Sequence, residues 1–359
     1  MWEKLREKKA PFFCVAPMAD VTDAAFRRML MKYGKPEVMW TEFVSADGLV
    51  SGGREVLLRD LAFVEGERPV VAQLFSSSPE KMEAAAKLCA ELGFDGIDIN
   101  MGCPDKSIEK QGAGAAMIQT PSVAAEVIAA AKRGIAAAGK AIPVSVKTRV
   151  GYAKEDIATW IAHLLMQDIA ALTVHARTRK ELSKMPADWE RVKKVVMLRN
   201  RLAPQTLIIG NGDVTSLAEG RKKAAETGCD GVMVGRALFG NPWFFDASRE
   251  VVAALPQKRG AFLRLPFLKR FFDTKRVAPQ SVTRPITVHE RLEVLVEHAQ
   301  LFELLLGDIK SFAVMKKHFK AYCTGFSGAK ELRIQLMETA NASEVKVSVE
   351  RFFATMTLS

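Results

Sequence analysis

Residues 95–104 read Asp95-Gly96-Ile97-Asp98-Ile99-Asn100-Met101-Gly102-Cys103-Pro104. Ile97, Ile99 and Met101 alternate with short polar residues, a period of two that predicts a β-strand. The stretch closes on Asn100, Gly102, Cys103 and Pro104, a polar, glycine-bearing turn with one thiol. Gln111-Gly112-Ala113-Gly114 and an alanine-rich helix follow. A thiol where a parallel strand stops is where α/β enzymes keep their chemistry.

Working outward, eight short apolar stretches recur every few tens of residues, at 12–18, 38–44, 70–75, 96–103, 144–149, 172–177, 206–213 and 231–238. Helical patterns separate them, for example at 24–33, 79–92, 122–138, 156–167 and 216–227. Several strands are continuously apolar, as strands of a buried parallel sheet are. Eight such units predict an α/β fold, a (β/α)8 TIM barrel, rather than an open doubly wound sheet. No early strand is followed by the G-x-G-x-x-G turn that an open dinucleotide-binding sheet would carry. Polar residues gather at the strand ends: Pro17-Met18-Ala19-Asp20, Thr41-Glu42, Gln73, Asn100 with Cys103, Lys147-Thr148-Arg149, His175-Ala176-Arg177, Asn211-Gly212-Asp213 and Gly235-Arg236. A barrel puts all eight ends on one face.

After the last strand, Asn241-Pro242-Trp243-Phe244-Phe245 leads into an expected helix ending near Leu255. Residues 257–284 hold eight Lys or Arg against one acid, Asp273, with Phe262, Phe267, Phe271 and Phe272 interleaved. Leu292, Leu295, Val296, Ala299 and Phe302 form one apolar helical stripe. Further helices are predicted at 312–322, 329–339 and 345–356. The expected organisation is therefore a barrel over 1–255, a basic linker or insertion over 256–284, and a C-terminal helical bundle domain over 285–359.

The chain has a hydrophobic content of 48% and a formal charge of +11. The first figure argues for a large core. The second fits either an ordinary basic protein or one with a polyanionic partner, most simply nucleic acid. The stretch 257–284 and Lys310, Lys316, Lys317, His318, Lys320, Lys330 and Arg333 concentrate that charge outside the barrel, as phosphate-backbone binding requires. No apolar run is long enough for a membrane span, and the N-terminus lacks a signal-peptide pattern, so a cytoplasmic protein is expected. The five cysteines are dispersed with no C-x-x-C pair, which disfavours a metal site or a disulfide framework. The sequence specifies no oligomeric state, and a monomer is expected.

Gly212 and Gly235 at strand ends, with Arg236, suit an anion, because glycine lets backbone N–H groups approach closely. Lys147 and His175 end adjacent strands and can stabilise negative charge on a flavin ring or a polarised carbonyl. Gln73 can bond a planar heterocycle or be a buried amide. Cys103, with an ordinary thiol pKa of roughly 8.5, suits a proton donor better than a nucleophile unless a cation activates it. It can equally be a small buried hydrophobe. Cys14, Cys89, Cys229 and Cys323 are expected to be just that.

With these residues in hand, the sequence resembles the tRNA-dihydrouridine synthase family over nearly its whole length. The run Asp98-Ile99-Asn100-Met101-Gly102-Cys103-Pro104 with Gly112-Ala113-Gly114-Ala115 carries most of the likeness. Ala16-Pro17-Met18 with Thr22-Asp23, Gln73-Leu74, Val146-Lys147-Thr148-Arg149, His175-Ala176-Arg177-Thr178, Asn211-Gly212-Asp213 and Gly235-Arg236 follow the family's order. Lys316 to Tyr322 with Leu332-Arg333 is similar to the family's helical domain. The resemblance implies an FMN enzyme that reduces the C5–C6 bond of uridine in tRNA, with NADPH as electron donor. It implies that Pro17, Met18, Ala19, Gln73, Lys147, His175, Asn211, Gly212, Asp213, Gly235 and Arg236 bind FMN. Cys103 would be the general acid, protonating C5 after hydride reaches C6. Asn100 and Arg177 would face the uracil or its phosphate. Asp20 stands where the family usually has glycine, and 181–186 lacks the family's glycine. Two other readings remain: a flavin barrel acting on a free small molecule, like dihydroorotate dehydrogenase, and a non-catalytic RNA-binding barrel.

Overall fold

Eight parallel strands form the centre of the computed structural model, which describes residues 1–8, 10–250 and 284–357. They are β1 (Phe12–Val15), β2 (Met39–Ser45), β3 (Val70–Phe75), β4 (Gly96–Met101), β5 (Val144–Arg149), β6 (Ala171–His175), β7 (Leu207–Asn211) and β8 (Gly231–Val234). Each pairs with its sequence neighbour from β2 to β8, and β1 pairs with β8. Cys14 of β1 bridges to Val38 just before β2, which closes the barrel. The expected strands at 70–75 and 144–149 are matched, whereas those at 12–18, 96–103, 172–177, 206–213 and 231–238 ran two to four residues too far. Pro17 and Pro104 lack an N–H for the ladder, and the polar ends turn into loops above the barrel.

The strands read as continuously apolar because they have two buried faces. Ile97, Ile99, Met101, Val146, Leu172 and Val174 pack outward under the helices. Phe12, Cys14, Trp40, Val71, Ile209 and Met233 fill the lower barrel. A short helix not foreseen from sequence, Trp2–Arg6, plugs that end, with Trp2 5.9 Å from Trp40 and 6.1 Å from Phe12 between ring centroids. The upper interior is polar, and the site lies there.

The helices start where their caps dictate. Asp23 accepts from Phe26 N (2.8 Å) ahead of Ala24–Tyr33, and Ser78 accepts from Lys81 N (3.3 Å) ahead of Pro79–Glu91. Helix Trp189–Leu202, with Trp189, Val192, Val195, Val196 and Arg199 buried, was not singled out in the sequence. Residues 157–165 form a π turn, Ile157–Ile161, and a short helix, Ala162–Leu165. The helix expected to follow Asn241 is absent up to residue 250. Trp243 and Phe244 instead anchor a turn, and Arg249–Glu250 pairs with Arg284–Pro285. The rest of that helix, and the basic linker at 256–284 apart from Arg284, fall outside the described residues.

Helices Val288–Leu306, Lys316–Tyr322, Ala329–Glu338 and Ala342–Thr357 make up the C-terminal part. Their core is continuous with the barrel's: Phe26 and Met29 share one cluster with Leu295, Phe302, Phe319 and Tyr322. No described helix is long and apolar enough to cross a membrane.

Between the two parts stands Lys310, its side chain 12% exposed. Its ammonium lies 2.7 Å from Glu42, 2.9 Å from Asp60 and 3.8 Å from Asp20. Burial alone would lower the Lys310 pKa, but Glu42 and Asp60 carry it above its ordinary value. Asp20 also holds Lys317 at 3.2 Å. It adopts φ +54°, the left-handed backbone that favours glycine, and its carboxylate reaches the helical part from there. Lys310→Met leaves these acids without their shared cation. The expected loss is about 3 kcal/mol of stability, read from the urea midpoint.

Candidate active site

The strand ends surround a cavity of about 860 Å³. Pro17 and Met18 line it beyond β1, Lys147 and Arg149 on β5, His175 and Arg177 on and after β6, Asn211, Gly212 and Asp213 from β7, and Gly235 and Arg236 after β8. Pro104 reaches its edge from the turn after β4. Of the expected residues, Ala19, Gln73, Asn100 and Cys103 do not line the cavity itself. Gln73 is fully buried beneath it, and Asn100 and Cys103 lie on the adjoining β4 and its turn. Arg149, Ser183 and Thr215 line it without having been singled out as site residues. Arg149 was findable: strand alternation puts it on the same face as Ser145 and Lys147.

Lys147 faces Asn100 across the β4–β5 ladder. No hydrogen bond or ion pair holds its ammonium among the described residues. Burial, and then the Arg149 charge, bring its pKa down to about 8, with Asp98 and Cys103 pulling the other way. His175 is kept neutral: burial lowers its pKa well below the ordinary value, and Arg149, Lys147 and Arg177 add to that. Arg177 Nη1 lies 3.0 Å from His175 Nε2. A guanidinium only donates, so Nε2 accepts and the ring proton is on Nδ1.

Arg177 is 2% exposed, and its donors are engaged. Besides His175 it bonds Met185 O (2.6 Å) and the Asp213 carboxylate. Asp213 also pairs with Arg236, and it accepts from Ala187 N at 2.8 Å. Arg177 and Asp213 thereby tie the 181–186 loop to the cavity wall. In that loop Leu182 takes φ +52°, supplying the backbone turn that glycine would make more cheaply.

The turn of Cys103 is held at each peptide group. Asn100 Oδ1 accepts from Gly102 N (3.1 Å) and Cys103 N (3.0 Å). Arg149 Nε donates to Gly102 O (2.8 Å), and Ala115 N donates to Cys103 O (2.9 Å). The half-buried thiol has its pKa raised by burial, against the Asp105 backbone amide, Lys147 and Arg149. It is therefore protonated at neutral pH. Gly114, at φ +61°, lets the following loop close on this turn, since a Cβ there would lie 2.8 Å from Cys103 O. Gly114→Ala is expected to cost about 2 kcal/mol from left-handed strain and this contact, measured by chemical denaturation.

The geometry thus offers a cationic cavity beside a fixed, protonated thiol. The family model described as dihydrouridine synthase (Dus) matches residues 14–357. A Bacillus subtilis (strain 168) protein named "Probable tRNA-dihydrouridine synthase 2" is 37% identical over 349 residues, covering 97% of this chain and 95% of its own. A Staphylococcus aureus (strain MRSA252) protein named "Probable tRNA-dihydrouridine synthase" is 36% identical over 353 residues, covering 98% and 95%. Among solved structures, histamine dehydrogenase from Rhizobium sp. 4-9 matches with a TM-score of 0.50 at 14% identity. That match spans 68% of this chain and 47% of the other, and supports the barrel fold alone.

Proposed function

The chain belongs to the dihydrouridine synthase family, and from that premise we propose that it reduces uridine in tRNA to 5,6-dihydrouridine in the cytoplasm, using FMN and NADPH. One observation carries the reading: Lys147 lines the cavity from β5, and the turn that carries Cys103 follows the adjoining β4 and reaches the cavity's edge at Pro104. In this reading residues 1–255 are the catalytic barrel and 285–359 the tRNA-binding domain.

The cavity residues fit FMN. About 860 Å³ lies within the range of roughly 300–1,000 Å³ usual for small-ligand sites. At Gly212, with φ +133°, a Cβ would lie 2.6 Å from Ala187 Cβ, so that strand-end turn needs glycine, and at Gly235 a Cβ would crowd only the flexible end of Met18, at 3.3 Å. With Arg236, these turns would hold the phosphate. Lys147, cationic below about pH 8, would meet negative charge on the ring, and Pro17, Met18, Asn211 and neutral His175 would orient it. FMN, when bound and reduced, would supply hydride for C6 of the uracil. Cys103 would hold its thiol proton for C5. Asn100 holds the Cys103 backbone in place for that transfer.

Helix Lys316–Tyr322 borders the mouth: Lys317 pairs with Asp20 beyond β1, and Gly240 beyond β8 packs so closely that a Cβ there would lie 2.6 Å from Tyr322 N. Lys320 and Lys330 are exposed, and Lys316 partly so. These unburied cations of the C-terminal helices favour tRNA over a free nucleotide as substrate. Replacing Lys316, Lys320 and Lys330 by Gln is expected to weaken tRNA binding at least about tenfold near physiological salt and to flatten the salt slope by about 2–3. Filter binding over a salt series measures both.

Purified protein is expected to be yellow and to form dihydrouridine in unmodified tRNA with NADPH, but not in free uridine monophosphate. Colourless protein that takes up no FMN, or flavoprotein that leaves tRNA uridine intact, overturns the proposal.

A further inference from the structure

Beneath the cavity, four side chains form a hydrogen-bonded row whose donors all point toward Asp98. Ser145 Oγ donates to Asp98 Oδ1 (2.6 Å), and Gln73 Nε2 donates to Asp98 Oδ2 (2.6 Å). Asn100 Nδ2 donates to Gln73 Oε1 (3.1 Å). Asn100 Oδ1 then accepts from Gly102 N and Cys103 N. Gln73, Asp98 and Ser145 are register partners on β3, β4 and β5, and all four are buried.

Both ends force this direction. The backbone N–H groups of Gly102 and Cys103 only donate, so Asn100 must show them its oxygen and turn its NH2 to Gln73. Gln73 must then show Asn100 its oxygen and turn its own NH2 away. Only an acceptor can meet that NH2, and Asp98 is the one present. Reversing either amide sets donor against donor inside the barrel, where an unpaired polar group costs about 1–3 kcal/mol.

We propose that Asp98 is a positioning residue for Cys103, acting through Gln73 and Asn100 to lock the turn on which the thiol stands. The role rests on the reading of Cys103 as proton donor. It depends on Asp98 as an acceptor, not on its charge. An asparagine could present its oxygen to Gln73 and its NH2 to the Ser145 hydroxyl, which can accept, so the row would survive neutralisation.

The test compares D98L with D98N in the protein as purified. It follows single-turnover reduction of tRNA uridine, the KM for tRNA, and alkylation of Cys103 by iodoacetamide, located by peptide mass spectrometry. The other four cysteines are buried. D98L is expected to slow reduction about 30-fold with KM within threefold of the parent, and to speed Cys103 alkylation about tenfold as the turn loosens. D98N is expected to stay within threefold of the parent on every measure. D98L that matches the parent overturns the proposal. So does D98N as impaired as D98L, because the charge of Asp98 on Lys147 would then be what matters. Should D98L not fold, alkylation of Q73E against Q73E/D98N decides: two carboxylates face each other in the single variant, and D98N restores a donor to Gln73→Glu. Faster alkylation in Q73E that D98N does not slow overturns the proposal. Full activity in Cys103→Ala would sink the proton-donor reading instead, and alkylation would still report on the row.

Discussion

Cys103→Ala is expected to lower tRNA uridine reduction by about 10³-fold while leaving bound FMN and tRNA affinity close to those of the parent. The size of the effect follows from what surrounds the thiol. His175 cannot substitute as the acid: its Nε2 accepts from Arg177, burial keeps the ring neutral, and a neutral imidazole N–H is a very weak acid. Lys147 could lend a proton, yet its place is opposite the negative charge it would stabilise. Arg149, whose pKa burial lowers only to about 10, stays charged through neutral pH and donates to Gly102 O, and the Arg177 guanidinium is tied to Met185 O and Asp213. In the proposed reading, removing the sulfur therefore removes the proton placed for C5, and Lys147, although it has a proton to give below about pH 8, is committed to the negative charge on the ring. The pH profile carries the same sign. Burial raises the thiol pKa above its ordinary value, so the acid stays loaded through neutral pH, and with FMN kept saturating the thiol's contribution to the rate should fall as pH rises through that raised value. Stopped-flow single turnovers across pH 6–10 measure this. Full activity in the variant would place the proton source elsewhere.

The barrel was legible because burial on two faces leaves a mark: Ile97-Asp98-Ile99 and Leu172-Thr173-Val174 alternate outward apolar residues with inward ones. The strand-end cluster was legible for the same reason, since parallel order brings the ends together whatever the intervening helices do. What the chain did not announce depends on register between strands distant in sequence. Gln73 was foreseen beside a ligand, and its amide has Asp98 and Asn100 as partners, a pairing that only the offset of β3 on β4 fixes. Arg177 was foreseen facing the substrate, and its guanidinium holds His175, Asp213 and Met185. The Trp2–Arg6 plug is too short for a helical period to show. Asp20 shows how a departure from a family pattern can be understood: it keeps glycine's backbone and adds a carboxylate that pairs with Lys317.

Lys147→Met is expected to act in opposite directions on cofactor and fold. The ammonium has its pKa brought down to about 8, chiefly by burial and then by Arg149. In the proposed site an anionic ring would favour the charged form, so FMN should bind most tightly below about pH 8 and more weakly as pH rises through that value. Removing a charge aimed at developing negative charge typically costs 10²–10³-fold in rate, so a loss of about 10²-fold in uridine reduction, with weaker FMN binding, is expected of the variant. Its FMN affinity should also lose the pH dependence. For the flavin-free fold the sign reverses. The unfolded chain keeps this proton up to about pH 10.4, whereas the folded chain sheds it near 8. The unfolded state thus binds more protons between those values, and stability rises with pH across that window. Below about pH 8 the full penalty of burying the ammonium is present, and methionine, of similar length and without charge, removes it. Flavin-free Lys147→Met protein should therefore melt higher than the parent at pH 7 while binding FMN worse. A variant that lost both stability and affinity would mark Lys147 as a structural residue and withdraw it from the site.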